Sequence, residues 1–406
     1  MTKSILIKAP RIYNGAADTA TESAYVVVEG QHIVDVGAQQ TLAENAAEQF
    51  SRCIELPDGT TLLPGLINMH THLSFSASAD LFDLQREESD ATKMIRIVEN
   101  MHAALSVGIT TVRDCGTWPH LALPARDAVE SGLLAGPRLI TSGAVTTTGG
   151  HCWFCATEAD SETEVRKAVR QHAKSGVDFI KLFATGGAST PGSNSLLSQY
   201  STEELCAATE EARRAGKRTA AHAHATDGVR NAITARVTSI EHCSFLAEDG
   251  IGWEPDMVDE IVNAGIYVCP TVFRGANKFL DDPAIVPPQH VDLHRNRLQQ
   301  RFALTNRLWR HGVQIVSGND AGVAHCHITD FPGDLIATVE GAGLTPVAVL
   351  HSVGTTAAQA LGRDDIGVIE AGRMADLLVV SGDPTTDIHA IAEPQMVFTR
   401  GEAIYG

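Results

Sequence analysis

Between residues 62 and 317, short apolar runs alternate with longer stretches of helical character. The runs are Leu62 to Met69, Thr110 to Asp114, Arg138 to Thr141, Phe179 to Phe183, Thr219 to His222, Ser239 to His242, Tyr267 to Pro270 and Gln314 to Ser317. The segments between them, such as Glu203 to Arg214 and Pro255 to Asn263, carry apolar residues at helical spacing. Eight strands alternating with helices predict an α/β protein built on a (β/α)8, TIM-like barrel, over residues 61–362. Outside that span the pattern is all strand. Ser4 to Ile7, Ala24 to Val28 and Ile33 to Val36 precede it, and Ala375 to Val380 and Pro394 to Ile404 follow it. Pairing of the two ends predicts a small discontinuous β-sandwich domain made of residues 1–60 and 363–406.

A chain of 406 residues is too long for one small core and suits a large barrel with an accessory domain. Its formal net charge of −18 argues against nucleic acid, because phosphate binding needs clustered Lys and Arg. An anionic membrane surface is excluded on the same ground. There is no run of 18 uninterrupted apolar residues and no N-terminal apolar segment with a cleavage site, so a cytoplasmic location is expected. Eight cysteines are dispersed along the chain, which suits reduced, buried thiols better than a disulfide framework. Cys152 and Cys155 form a C-x-x-C, but no second pair follows at zinc-ribbon spacing, so they read as two loop cysteines.

In such a barrel, reacting groups sit where strands end at the C-terminal face. The first run ends in His70-Thr71-His72, and residues two apart on a strand point to one side. The fourth carries Lys181 inside Phe179-Ile180-Lys181-Leu182-Phe183. The fifth ends His222-Ala223-His224, the sixth Glu241-His242 and the eighth Asn319-Asp320. One histidine at a strand end is usually a satisfied polar residue. Metal-ligand residues on five of the eight runs, in phase with the barrel period, point to a metal centre.

These residues carry a resemblance. His70-x-His72, Lys181, His222, His242 and Asp320, followed by Gly372 to Val380, resemble the amidohydrolase superfamily of metal-dependent hydrolases over essentially the whole chain. The Thr148-Gly149-Gly150-His151 loop, Ile180 to Gly187 and Ala221 to His224 are similar to its prolidase-like branch, which imidazolonepropionases also resemble. The resemblance implies two divalent ions, with zinc suiting the ligands best. His70, His72 and Asp320 would hold the first ion and His222 and His242 the second. Lys181, carbamylated by CO2, would bridge them. A bridging hydroxide would attack an amide carbonyl, with Asp320 as general base and then acid.

His224 would polarise that carbonyl, although from sequence alone either histidine of the His222-x-His224 pair can be the ligand. His151 would be a second carbonyl contact. Arg274 would hold a substrate carboxylate, and His325 and His327 stand near the same mouth. The expected reaction is cleavage of a C–N bond in a small molecule such as a dipeptide, an N-acyl amino acid or a related amide, carbamate or urea. The alternatives are an imidazolonepropionase-like cyclic amide hydrolase and a mononuclear deaminase. Lys181, and the lack of a glutamate shortly after His222, disfavour the deaminase. A homo-oligomer acting on a small-molecule substrate is expected.

Overall fold

The computed structural model describes residues 4–117, 121–271, 283 and 286–405. Both chain ends enter one eight-stranded sheet. Its N-terminal strands are β1 (Ser4–Ile12), β2 (Thr21–Glu29), β3 (His32–Ala38), β4 (Arg52–Glu55) and β5 (Thr60–Pro64). Alternation splits the apolar Ala24 to Val28 run of β2: Ala24, Val26 and Val28 pack with Ile7, Ala9 and Ile12 of β1 on one face, and Tyr25 and Val27 with Leu6 on the other.

The barrel strands are β6 (Leu66–Thr71), β7 (Ile109–Asp114), β8 (Arg138–Thr146), β10 (Phe179–Phe183), β11 (Arg218–Ala225), β12 (Ser239–Ala247) and β14 (Tyr267–Cys269). They pair in parallel, and two-residue pieces, β9 (Thr157–Glu158) and β13 (Gly250–Ile251), extend β8 and β12. The chain returns to the first sheet with β15 (Leu377–Ser381), β16 (Pro394–Thr399) and β17 (Glu402–Tyr405), in the order β17-β16-β15-β5-β1-β2-β3 with β4 on β1.

Two expectations about strands are corrected. Leu62 to Met69 is not one strand, because the chain changes sheet at Gly65. There its N–H donates to the Asp376 carbonyl at 2.9 Å, and a Cβ would lie 2.2 Å from Thr110 Oγ1, so only glycine passes β7 this closely. The eighth run, Gln314 to Ser317, forms no regular ladder. It closes the barrel through single bonds instead: Val268 N to Gln314 O at 3.0 Å, Val316 N to Val268 O at 2.9 Å and Met69 N to Ser317 O at 2.9 Å.

Helices cover the outside of the barrel. Ser161 caps Glu162–Ser175 by accepting from Glu164 N, and Ser201 with Glu204 forms a capping box on Thr202–Arg214. Strand alternation then sorts the side chains. Ile180 and Leu182 of β10, with Ala221 and Ala223 of β11, join the core shared with these helices. Phe179, Lys181, Phe183, His222 and His224 lie on the opposite, inward set. No helix among the described residues is long and apolar enough to cross a membrane.

Candidate metal centre

Seven ligand-type side chains converge at the C-terminal mouth of the barrel. Asp320 Oδ1 lies 3.3 Å from His70 Nε2 and 3.2 Å from His72 Nε2. The His242 ring centroid is 5.3 Å from that of His70 and 4.5 Å from that of His222. The donor atoms of His70, His242 and Asp320 lie within 4.8 Å of one another, as do those of His222, His224 and His242. Lys181 is fully buried in the centre, and its Nζ has no hydrogen-bond partner among the described residues.

The ring nitrogen facing away from the centre decides what each imidazole offers to it. His72 Nδ1 is 2.6 Å from the Gly116 carbonyl and His222 Nε2 is 3.1 Å from the Gly186 carbonyl. A carbonyl only accepts, so those nitrogens carry protons and His72 Nε2 and His222 Nδ1 are left as lone pairs. His70 Nδ1 donates to Glu241 Oε2 at 2.8 Å. His242 Nδ1 is 2.7 Å from Thr271 Oγ1, whose own proton goes to the Pro270 carbonyl at 2.8 Å, so Thr271 accepts as well. In their neutral forms the four imidazoles would therefore turn lone pairs inward, as a divalent ion requires of histidine; burial opposes charge on His72, but the Asp320 carboxylate 3.2 Å from its Nε2 outweighs burial and raises that imidazole.

Glu241 is the hub behind His70. It is fully buried, and its Oε1 accepts from Arg113 at 2.6 Å and from Ser239 Oγ at 2.6 Å. Arg113 also donates through Nε to the Met69 carbonyl at 2.6 Å, next to His70 itself. Burial alone would raise the Glu241 carboxyl, but the Arg113 guanidinium, the hydrogen bond from His70 and the nearby Lys181 charge together outweigh it and hold the group well below the usual carboxylate range. Asp320 behaves alike, with His70 and His72 outweighing burial. Burial, followed by the Lys181 charge, lowers His70 to about 4, and burial with Arg301 lowers His224 to about 3.

Backbone strain collects at the same place. His242 (φ 67°) and Asp320 (φ 60°) are non-glycine residues in the left-handed region, a conformation held only where the surroundings impose it. At His242 it breaks the two-residue alternation, so the neighbouring side chains Glu241 and His242 both reach the interior cluster.

The centre opens into a cavity of about 640 Å³. Phe75, Leu81, Phe82 and Phe183 form an apolar wall, and the loop after β10 contributes Ala188, Ser189 and Pro191. His151 lines this cavity with its ring centroid 4.6 Å from that of His222, and Cys152 lies beside it. Cys152 and Cys155 are both buried, free thiols flanking a 3-10 turn. His325 and His327 stand apart. The loop folds back after Asp320, with Gly322 N on the Cys326 carbonyl at 2.8 Å, and neither histidine lines the cavity. His327 is exposed and caps the turn Ile328–Asp330. Arg274 lies outside the described residues.

Among the described residues the cavity shows Arg297 and Arg301, on the helix Val291–Arg310. The sequence reading missed these two, together with Arg113, Ser239, Glu241, Ser244 and Thr271. The available signal was a charged residue inside an apolar strand, as in Val112-Arg113-Asp114 and Ile240-Glu241-His242. A wider groove of about 1070 Å³, along β17 and residues 129–136, holds no histidine or cysteine and carries no comparable chemistry.

A parallel barrel ringed by inward-facing imidazoles, one aspartate and a buried lysine defines a class of metal-dependent hydrolase. Residues 61–404 match the model of the Amidohydrolase family, and the chain belongs to that family. It is similar to ochratoxinase of Aspergillus niger, at 25% identity over 411 residues covering 92% of this chain and 81% of that one. It also superposes on a Xaa-Pro dipeptidase with methionine bound in the active site, with a TM-score of 0.85, 28% identity and full coverage of both chains. A prolidase complexed with N-methylphosphonate-L-proline gives a TM-score of 0.84 at 25% identity, covering 99% of this chain and 100% of that one.

Proposed function

We propose that this hydrolase cleaves the amide bond of a small, carboxylate-bearing molecule such as a dipeptide or an N-acyl amino acid, using two divalent ions, most suitably zinc. His70, His72 and Asp320 would hold one ion and His222 and His242 the other, with Lys181 as a carbamate between them. The observation that carries this reading is the Lys181 amine, fully buried among imidazoles and a carboxylate and without a hydrogen-bond partner among the described residues. A lone buried ammonium is costly, and a carbamate shared by two cations relieves that cost. When bound, the ions supply Lewis acidity towards the carbonyl and a water ionised near neutral pH.

The chain's own residues supply the rest. Asp320, beside His70 and His72, takes the proton of the attacking water and passes it to the departing amine. His224 meets the carbonyl oxygen as negative charge develops on it, and His151 stands across the same space. Phe75, Phe82 and Phe183 limit access of bulk water.

Charge supports the substrate class. The chain carries −18 overall, yet apart from the proposed ligands Lys181 and Asp320 the charged side chains lining the cavity, among the described residues, are Arg297 and Arg301. A cationic mouth on an anionic protein favours an anionic ligand. The test is a panel of dipeptides, N-acyl amino acids, carbamates and ureas with the zinc-loaded enzyme. Hydrolysis of free acids in preference to their esters or amides is expected. Deamination, or no C–N cleavage across the panel, would contradict the reading.

A further inference from the structure

The cluster His222, His224 and His242 contains one imidazole that differs from its neighbours in what stands behind it. His224 Nδ1 is 2.9 Å from Ser244 Oγ. That hydroxyl also receives Arg301, whose guanidinium lies 2.9 Å away. Arginine only donates, so the direction of this bond is fixed. Arg301 is pinned a second time, by donation to the Pro270 carbonyl.

Ser244 is 2% exposed, and His224 is the remaining hydrogen-bond partner of its side chain among the described residues. If His224 gave a proton to Ser244, the serine's own proton would be left buried with nowhere to go, at about 1–3 kcal/mol. The arrangement that satisfies every group has Ser244 accepting from Arg301 and donating to His224 Nδ1. The proton of the neutral imidazole is then on Nε2.

We propose that Arg301 and Ser244 are positioning residues that fix His224 as an Nε2–H donor aimed at the substrate carbonyl, and thereby exclude it from the metal ligands. His70, His72, His222 and His242 are each backed by an acceptor, and so present lone pairs. His224 is backed by a donor, so it presents a proton. The choice between His222 and His224, open in the sequence, is made by one hydroxyl contributed from β12. The inference rests on the reading of His224 as the group that meets the carbonyl.

The test is nitrogen-15 NMR of the imidazoles in the zinc-loaded protein, with His224 identified by its absence in His224→Asn. The expected result is a proton on Nε2 and a bare Nδ1. Ser244→Asp places an acceptor behind the ring and should move the proton to Nδ1. It should also lower kcat by about 10²-fold, the scale of one lost oxyanion donor, with KM and bound zinc little changed. Ser244→Ala should lose part of kcat, and Ser244→Thr, which keeps the hydroxyl, should recover it. A proton on Nδ1 in the unmodified enzyme would overturn the proposal, as would a tautomer and kcat indifferent to all three substitutions. Failure of the underlying reading looks different: His224→Asn would turn over normally while the wild-type proton sat on Nε2.

Discussion

Replacing Glu241 with glutamine keeps the shape of the side chain and removes its charge. In the native structure this fully buried carboxylate balances Arg113, itself 4% exposed, and orients His70. Removing one member of a buried ion pair leaves the other uncompensated and costs about 3–5 kcal/mol. Loss of the carboxylate behind a ligating histidine separately weakens metal binding by roughly 10–100-fold. The two effects can be told apart. Arg113→Met combined with Glu241→Gln removes both charges, so stability should largely return while affinity for the first ion stays low. Urea unfolding of the metal-free proteins measures the first quantity, and zinc competition against a chelator measures the second. A Glu241→Gln protein as stable as wild type would refute the reasoning, as would a double variant whose losses are the sum of the two singles.

Two further outcomes are expected. Lys181→Ala should lose bound metal and most turnover, and a short-chain carboxylic acid in the medium should restore part of both; full metal and activity without added acid would argue against a bridging role. The metal-free protein should lose stability on acidification. His70 and His224 have folded values near 4 and 3, below the ordinary 6.5, so under pH 6.5 the unfolded chain binds protons that the folded chain does not. Stability therefore falls as the pH drops from about 6.5 towards 4, by up to about 1.4 kcal/mol per pH unit for each such imidazole. Urea midpoints at several pH values measure the slope, and a flat profile would contradict it.

The candidate ligands were legible in the sequence because they lie within or just beyond apolar runs that recur with the barrel period. The division into two ion sites came from the family resemblance, and the choice between His222 and His224 stayed open. The groups behind them were not legible. Glu241 serves His70 from across the barrel, on a strand that follows it by 171 residues, and no spacing rule connects the two. Arg301 lies on a helix that reads as an ordinary charged surface helix until its packing against Ser244 is seen. The Leu62 to Met69 run misled because apolarity does not reveal that Gly65 hands the chain from one sheet to another. His327, close to Asp320 in sequence, is carried to the turn Ile328–Asp330 and left exposed by a loop that folds back at Gly322.

The central claim is a two-ion centre built by Lys181 with His70, His72, His222, His242 and Asp320. Elemental analysis of the protein purified after metal-replete expression tests it most directly. About two divalent ions per chain is the expected result, and one or none would contradict the account.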